Sequence, residues 1–241
     1  MEKKSVFIVL SSTGTALSKM IKQYTKDKYN HASISLDEEL RDMYSFGRKD
    51  PINPLSGGFV HEDVEVGTYS WFPDTEIRVI KVNVSSAQYR EIVRLIEMFK
   101  EQESKYYYNL IGLFGVVLNK PLEVKNSYFC SQFVSEIFRK SGYQLLEKNS
   151  SLVKPSDFVD LDNSEVTYEG LLYEYPPIKR RITYDMKEYR SFPFRQYCYQ
   201  KMNEEILNEI KDGHKLSFRN GFLRPKKIYF DEKLKWSTFQ K

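Results

Sequence analysis

The stretch from Asn126 to Gly142 constrains the fold most tightly, because its apolar residues recur at helical spacing. Phe133, Val134, Ile137 and Phe138 fall on one face, and Gln132, Ser135, Glu136, Arg139 and Lys140 fill the other. One side of such a segment must lie on a core, and the other meets water or a partner. Ser127 is placed to cap the helix, which puts Cys130 in the first turn near the third position. Gly142 stands where a left-handed terminating glycine belongs. A thiol at that position lies among unpaired backbone N–H groups at the positive end of the helix dipole, which favours thiolate over thiol. The same N–H groups can hold an oxyanion on a carbonyl that the sulfur attacks. A lone buried cysteine is otherwise a small apolar residue, so a nucleophilic role calls for a histidine partner.

A candidate lies far upstream. In the run Tyr29 to Asp37, Ala32, Ile34 and Leu36 alternate with His31, Ser33 and Ser35, which predicts a strand with one apolar and one polar face. His31 therefore shares its face with two serines and is not a core histidine by pattern. Met43 to Arg48 reads as the returning strand of a hairpin, with Tyr44 and Phe46 on one face and Ser45 and Gly47 on the other. If the two apolar faces join, Ser45 lies on the His31 side and can help orient the imidazole. The stretch from Phe59 to Trp71, which reads as a strand or a flap, contains Glu62. His61 beside it reads as one half of an exposed loop pair.

The remaining chain supplies the rest of a mixed α and β domain. Ser5 to Leu10 predicts a buried strand, Ala16 to Tyr24 a short helix, and Glu76 to Val84 an alternating strand. Ser85 or Ser86 caps an amphipathic helix running to Lys100, with Tyr89, Ile92, Val93, Ile96 and Phe99 on its buried face. Tyr106 to Tyr108 reads as aromatic packing ahead of an apolar segment from Leu110 to Leu118. Pro155 to Phe158 suggests a turn opening a short helix, and Glu165 to Tyr175 a final strand pair. Beyond Pro176-Pro177 one more helix is expected from Gln200 to Lys211. His214 reads as a loop or a helix end.

Composition narrows the function classes. The chain has 241 residues, 41% of them hydrophobic, with 16 Phe, 18 Tyr and 2 Trp, so a real core can form. No apolar run reaches the ~18 residues of a membrane span, and Val6 to Leu10 is too short for the apolar region of a signal peptide; a cytoplasmic protein is expected. Two cysteines, Cys130 and Cys198, are too few for a disulfide framework, and Cys198 between two tyrosines reads as a buried structural thiol. The histidines and cysteines show no zinc spacing, and no cofactor or metal is expected. Charge is uneven: residues 1–175 carry 21 Lys and Arg against 25 Asp and Glu, whereas residues 176–241 carry 16 against 8. The basic, aromatic extension is therefore either a solvated surface folded onto the domain or a contact for an anionic partner.

A helix-start cysteine, an upstream histidine heading an alternating strand, and a small α and β domain together resemble the papain-like NlpC-type superfamily in its circularly permuted form. Ordinary papain-like enzymes place the cysteine helix before the histidine strands. Here His31 precedes Cys130, the order of the branch that contains YiiX-like proteins and the lecithin retinol acyltransferase group. The resembling pieces are Asn30 to Asp37, Tyr44 to Arg48, and Tyr128 to Val134, and the likeness covers roughly residues 5 to 175, closest to bacterial members of the branch. It implies an α+β fold, with a small antiparallel sheet packed on helices over residues 1–175, and leaves the basic aromatic extension over residues 176–241 unexplained. It also implies a Cys130–His31 pair with a third polar residue orienting the ring, for which Glu62 and Ser45 are the candidates. The expected activity is a cysteine hydrolase of amide bonds, a peptidase or amidase with a cell-wall-type peptide among its substrates. The alternatives are an acyl hydrolase or acyltransferase acting on lipid, and a binding module that contacts anionic partners through the extension.

Overall fold

The computed structural model describes residues 3–13, 27–49, 57–65, 69, 72–109, 112, 116 and 119–181. The helices expected over residues 16–24 and 200–211, together with Cys198 and His214, lie outside the described residues.

The fold is α+β, built on a six-stranded antiparallel sheet. Its strands are β1 (Lys3–Ser12), β2 (His31–Ser35), β3 (Met43–Arg48), β4 (Gly57–Glu62), β5 (Glu76–Ser85) and, after a separate pair, β8 (Ser164–Leu171). They lie in the order β4-β3-β2-β1-β5-β8. The separate pair is parallel and joins β6 (Tyr107–Tyr108) to β7 (Ser127–Tyr128). The helices described are α1 (Ser86–Glu101), α2 (Cys130–Lys140) and α3 (Pro176–Arg181).

β1 is central and apolar without a break from Val6 to Leu10, so both of its faces are buried. Ile8 and Leu10 look toward α1 and α2, whose Ile96, Phe99, Phe133 and Ile137 complete that layer. Phe7 and Val9 look the other way, onto Leu172, Tyr175 and Ile178, which close the opposite face. The aromatic centre of the first layer fixes the start of α2. Phe133 lies 5.1 Å from Phe46 of β3 and 5.2 Å from Phe99 of α1, ring centre to ring centre. Such contacts add to the ~1.5–3 kcal/mol gained by burying each ring.

α1 begins as expected. Ser85 caps it, with Gln88 reaching back to the Ser85 N–H at 2.9 Å. Its buried residues are Ile92, Leu95, Ile96 and Phe99; Tyr89 and Val93 are only half-buried, because the contact face is turned toward Leu95.

α2 departs from expectation at its start. The first helical residue is Cys130 and the cap position is Phe129, so the cysteine stands two positions earlier in the helix than its spacing from Ser127 suggested. The reason is the β6–β7 ladder: Tyr107 N–H bonds to Asn126 O at 2.9 Å and Asn109 N–H to Tyr128 O at 2.8 Å, which holds Ser127 and Tyr128 extended. The supposed wet face is also covered at this end. Ser131, Gln132 and Ser135 are buried, with Ser131 Oγ donating to Val153 O at 2.7 Å as the turn at Ser150–Leu152 passes over them. The segment expected as a final strand pair is one edge strand, β8, followed by a single helical turn at Leu172–Glu174, because its Leu172 side chain is drawn into the core.

α2 ends as its glycine predicts. Gly142 has φ of 79°, its N–H bonds to Arg139 O at 3.1 Å, and Tyr143 N–H bonds to Phe138 O at 3.0 Å, with the Phe138 and Tyr143 rings in contact. A side chain at that φ is strained, so Gly142→Ala is expected to lower stability by about 1 kcal/mol. Urea unfolding should show a lower midpoint at unchanged slope.

Candidate active site

The sulfur of Cys130 meets β2 where the sheet comes apart. Leu36 N–H bonds to Asp42 O at 3.0 Å, and the β2–β3 ladder continues only through Ser35–Met43 and Ile34–Tyr44. Alternation then aims the Ala32 N–H at the same side, where no strand partner follows and where it helps to lower the Cys130 thiol. The Ser131 N–H in the first turn of α2 lowers the same thiol. Cys130 is only 3% exposed.

His31, the first residue of β2, carries its ring to this sulfur; the imidazole and the thiol are hydrogen-bond and charge partners. The other side of the ring is held by Glu62, with His31 Nε2 lying 2.6 Å from Glu62 Oε1. The ionised carboxylate only accepts, so Nε2 carries a proton and Nδ1 is left for the thiol. Register explains the encounter. Met43 pairs with Glu62 and Ser45 with Val60 across β3 and β4, and opposite residues share a face, so Glu62 joins Ser45 on the His31 side of the sheet. Gly47 leaves room for Ser45: a methyl there would stand a tight 3.2 Å from Ser45 Oγ and in ordinary contact, at 3.6 Å, with His31 Cε1.

Glu62 is itself fixed by four donors. Besides the imidazole, Ser45 Oγ donates to Oε1 at 2.5 Å, Ser33 Oγ to Oε2 at 2.7 Å and the Tyr69 hydroxyl to Oε2 at 2.9 Å. Burial works against this charge, but the His31 ring, Ser45 and Ser33 outweigh it and hold the carboxyl at about 2. On His31, burial favours the neutral ring, yet Glu62 and the Cys130 sulfur more than reverse it and raise the imidazole to about 10. For Cys130, burial raises the thiol, while His31 and the Ala32 and Ser131 N–H groups bring it below its ordinary value. Burial and the Glu62 charge raise the Tyr69 phenol well above its usual range, so it stays a donor. The directions agree: the charged forms of the Cys130 sulfur and the His31 ring each favour the other.

Cys130, His31, Glu62 and Ser45 thus meet in one place, with roles divided more sharply than the sequence allowed. Glu62 touches the ring; Ser45 does not, and acts one step back by holding the carboxylate. His61 is no loop partner of Glu62: both lie on β4 and alternate to opposite faces. His61 packs on Tyr44 at 4.9 Å between ring centres, with Nε2 at 2.7 Å from Arg41 O. Two contributors were missed. Ser33 was visible as a serine on the His31 face, whereas Tyr69 sits in a stretch with no periodicity to announce it.

Among the described residues no cluster of three or more His, Cys, Asp or Glu is placed to hold a metal ion. No helix among them is long and apolar enough to cross a membrane. The chain matches no protein-family model, and no curated protein resembles it in sequence.

Proposed function

We propose that the chain is a cysteine hydrolase that cleaves an amide bond by acyl transfer to Cys130, on a circularly permuted papain-like scaffold. The observation that carries this reading is the His31 ring shared between the Cys130 sulfur and a carboxylate that four donors hold ionised. The Cys130 thiolate attacks the amide carbon, forming the S–C bond and moving the carbonyl electron pair onto oxygen. As that pair returns, the C–N bond breaks and His31 passes its proton to the departing amine. Water then attacks the thioester and gives a proton to neutral His31, which releases the carboxylic acid and restores the ion pair. An amine leaves only when protonated, so a histidine held in its protonated form by Glu62 suits an amide better than an ester.

A second reading, an acyl ester of a lipid, draws on Tyr107 and Val124. They are 61% and 45% exposed, Tyr107 on β6 and Val124 bridged to Ser127 of β7, the strand that leads into Cys130, where an acyl chain could lie. Release of fatty acid from mixed micelles, without release of amine from peptide anilides, would decide for it.

The test of the thiolate is the pH dependence of alkylation by iodoacetamide, read at Cys130 by peptide mass mapping. The expected rate rises through a midpoint well below the ~8.5 of a free thiol. A midpoint at the ordinary value, with Cys130→Ser retaining all amide hydrolysis, would overturn the proposal.

A further inference from the structure

We infer that Asn30 is the side-chain donor for the oxyanion formed at the carbonyl attacked by Cys130, acting beside the backbone N–H groups in the first turn of α2. The inference rests on the acyl-transfer reading of Cys130 and deepens it. Asn30 stands at the head of β2, its own N–H held by Ser11 O at 3.1 Å. The next residue is His31, the ring partner of the sulfur, and the one after is Ala32, whose N–H helps to lower the thiol. Two residues of strand span only about 7 Å, which brings the Asn30 backbone near the residue that acts on the reacting sulfur.

What sets Asn30 apart is that it is buried and unused. It is 6% exposed, and neither Nδ2 nor Oδ1 has a hydrogen-bond partner. Arg78 also has a buried unpaired nitrogen, but its Nη1 is paired with Glu169 at 3.0 Å, so only Asn30 among the described residues leaves its whole polar group idle. The neighbouring amide of Gln132 is already engaged, accepting the Phe129 N–H at 3.4 Å and securing the helix start. A buried amide with no partner bears its full desolvation cost in the resting protein. In the acyl-transfer step its N–H finds a partner when the carbonyl π pair moves onto oxygen, a charge that exists only during reaction. A donor preorganised for that state lowers the barrier rather than tightening substrate binding.

Two reagents separate this role from a structural one. p-Nitrophenyl acetate acetylates the sulfur through an oxyanion and releases p-nitrophenolate; iodoacetamide alkylates the same sulfur at a saturated carbon, with no oxyanion. Both must reach the same buried atom, so their ratio cancels any effect on access. With the Cys130→Ser rate subtracted, Asn30→Ala is expected to slow acetylation about 100-fold and to change alkylation by less than about threefold. Asn30→Leu, which fills the same volume without the donor, should do the same while its thermal midpoint stays at or above that of the wild type. Equal loss of both rates, or loss of neither, overturns the assignment. An ordinary thiol midpoint in the wild type would instead bring down the acyl-transfer reading itself, a distinct result.

Discussion

Replacing His31 by alanine is expected to move the midpoint of Cys130 alkylation upward by about two pH units or more. In the wild type, burial alone raises the thiol, and the His31 charge is the largest influence opposing it. Without the ring, only the Ala32 and Ser131 N–H groups remain to favour thiolate, while the negative charge of Glu62 stays nearby. The alkaline plateau should match or exceed that of the wild type, because a more basic thiolate is intrinsically more nucleophilic. Amide hydrolysis should behave differently, falling by about 10²–10⁴ at every pH, since the leaving amine loses its proton donor. His61→Ala is the control: its ring is tied to Arg41 O and Tyr44 on the far face of β4, so neither curve should move. A midpoint unchanged by His31→Ala would mean that the thiol is tuned by the helix terminus alone.

The alternation that marked Ala32, Ile34 and Leu36 as apolar also placed His31, Ser33 and Ser45 on one side of the sheet, and the structure keeps that arrangement. Strand faces are legible because a period of two leaves a single choice once one face is buried. Glu62 was visible as a chemical candidate but not as a position, because its place depends on the β3–β4 register, and the sequence between the two strands has no periodicity to measure it. The start of α2 was misjudged for a related reason. A capping serine is a local signal, and the β6–β7 ladder that overrides it joins segments about 20 residues apart in the chain. The burial of Ser131 and Ser135 escaped notice because the turn that covers them follows the helix and belongs to no repeating pattern. Asn30 was read only as the neighbour of His31, since an unpaired amide is defined by what surrounds it in space.

Glu62→Gln is expected to destabilise the fold by about 2–5 kcal/mol near neutral pH, although the two side chains have nearly the same shape. The carbonyl oxygen of the new amide can still accept from His31 Nε2. Its nitrogen, however, only donates, and it faces the Ser33 and Tyr69 hydroxyls that bonded to Glu62 Oε2 at 2.7 Å and 2.9 Å. The imidazolium also loses its counter-charge, so Cys130 alkylation should need a higher pH in the variant than in the wild type. The pH dependence of stability tells charge from packing. A carboxyl lowered from 4.5 to about 2 binds its proton less readily folded than unfolded. Its contribution is therefore complete above 4.5 and is lost as pH falls through about 2. His31 contributes in the opposite sense, fully below 6.5 and progressively less as pH rises toward about 10. Both shifts express one ion pair, so their effects are not additive. Urea unfolding of the wild type and of Glu62→Gln across that range should show their stability difference shrinking at both the acid and the alkaline end. A difference independent of pH would make Glu62 a packing residue, and would leave the protonated state of His31, and with it the preference for an amide, without its support.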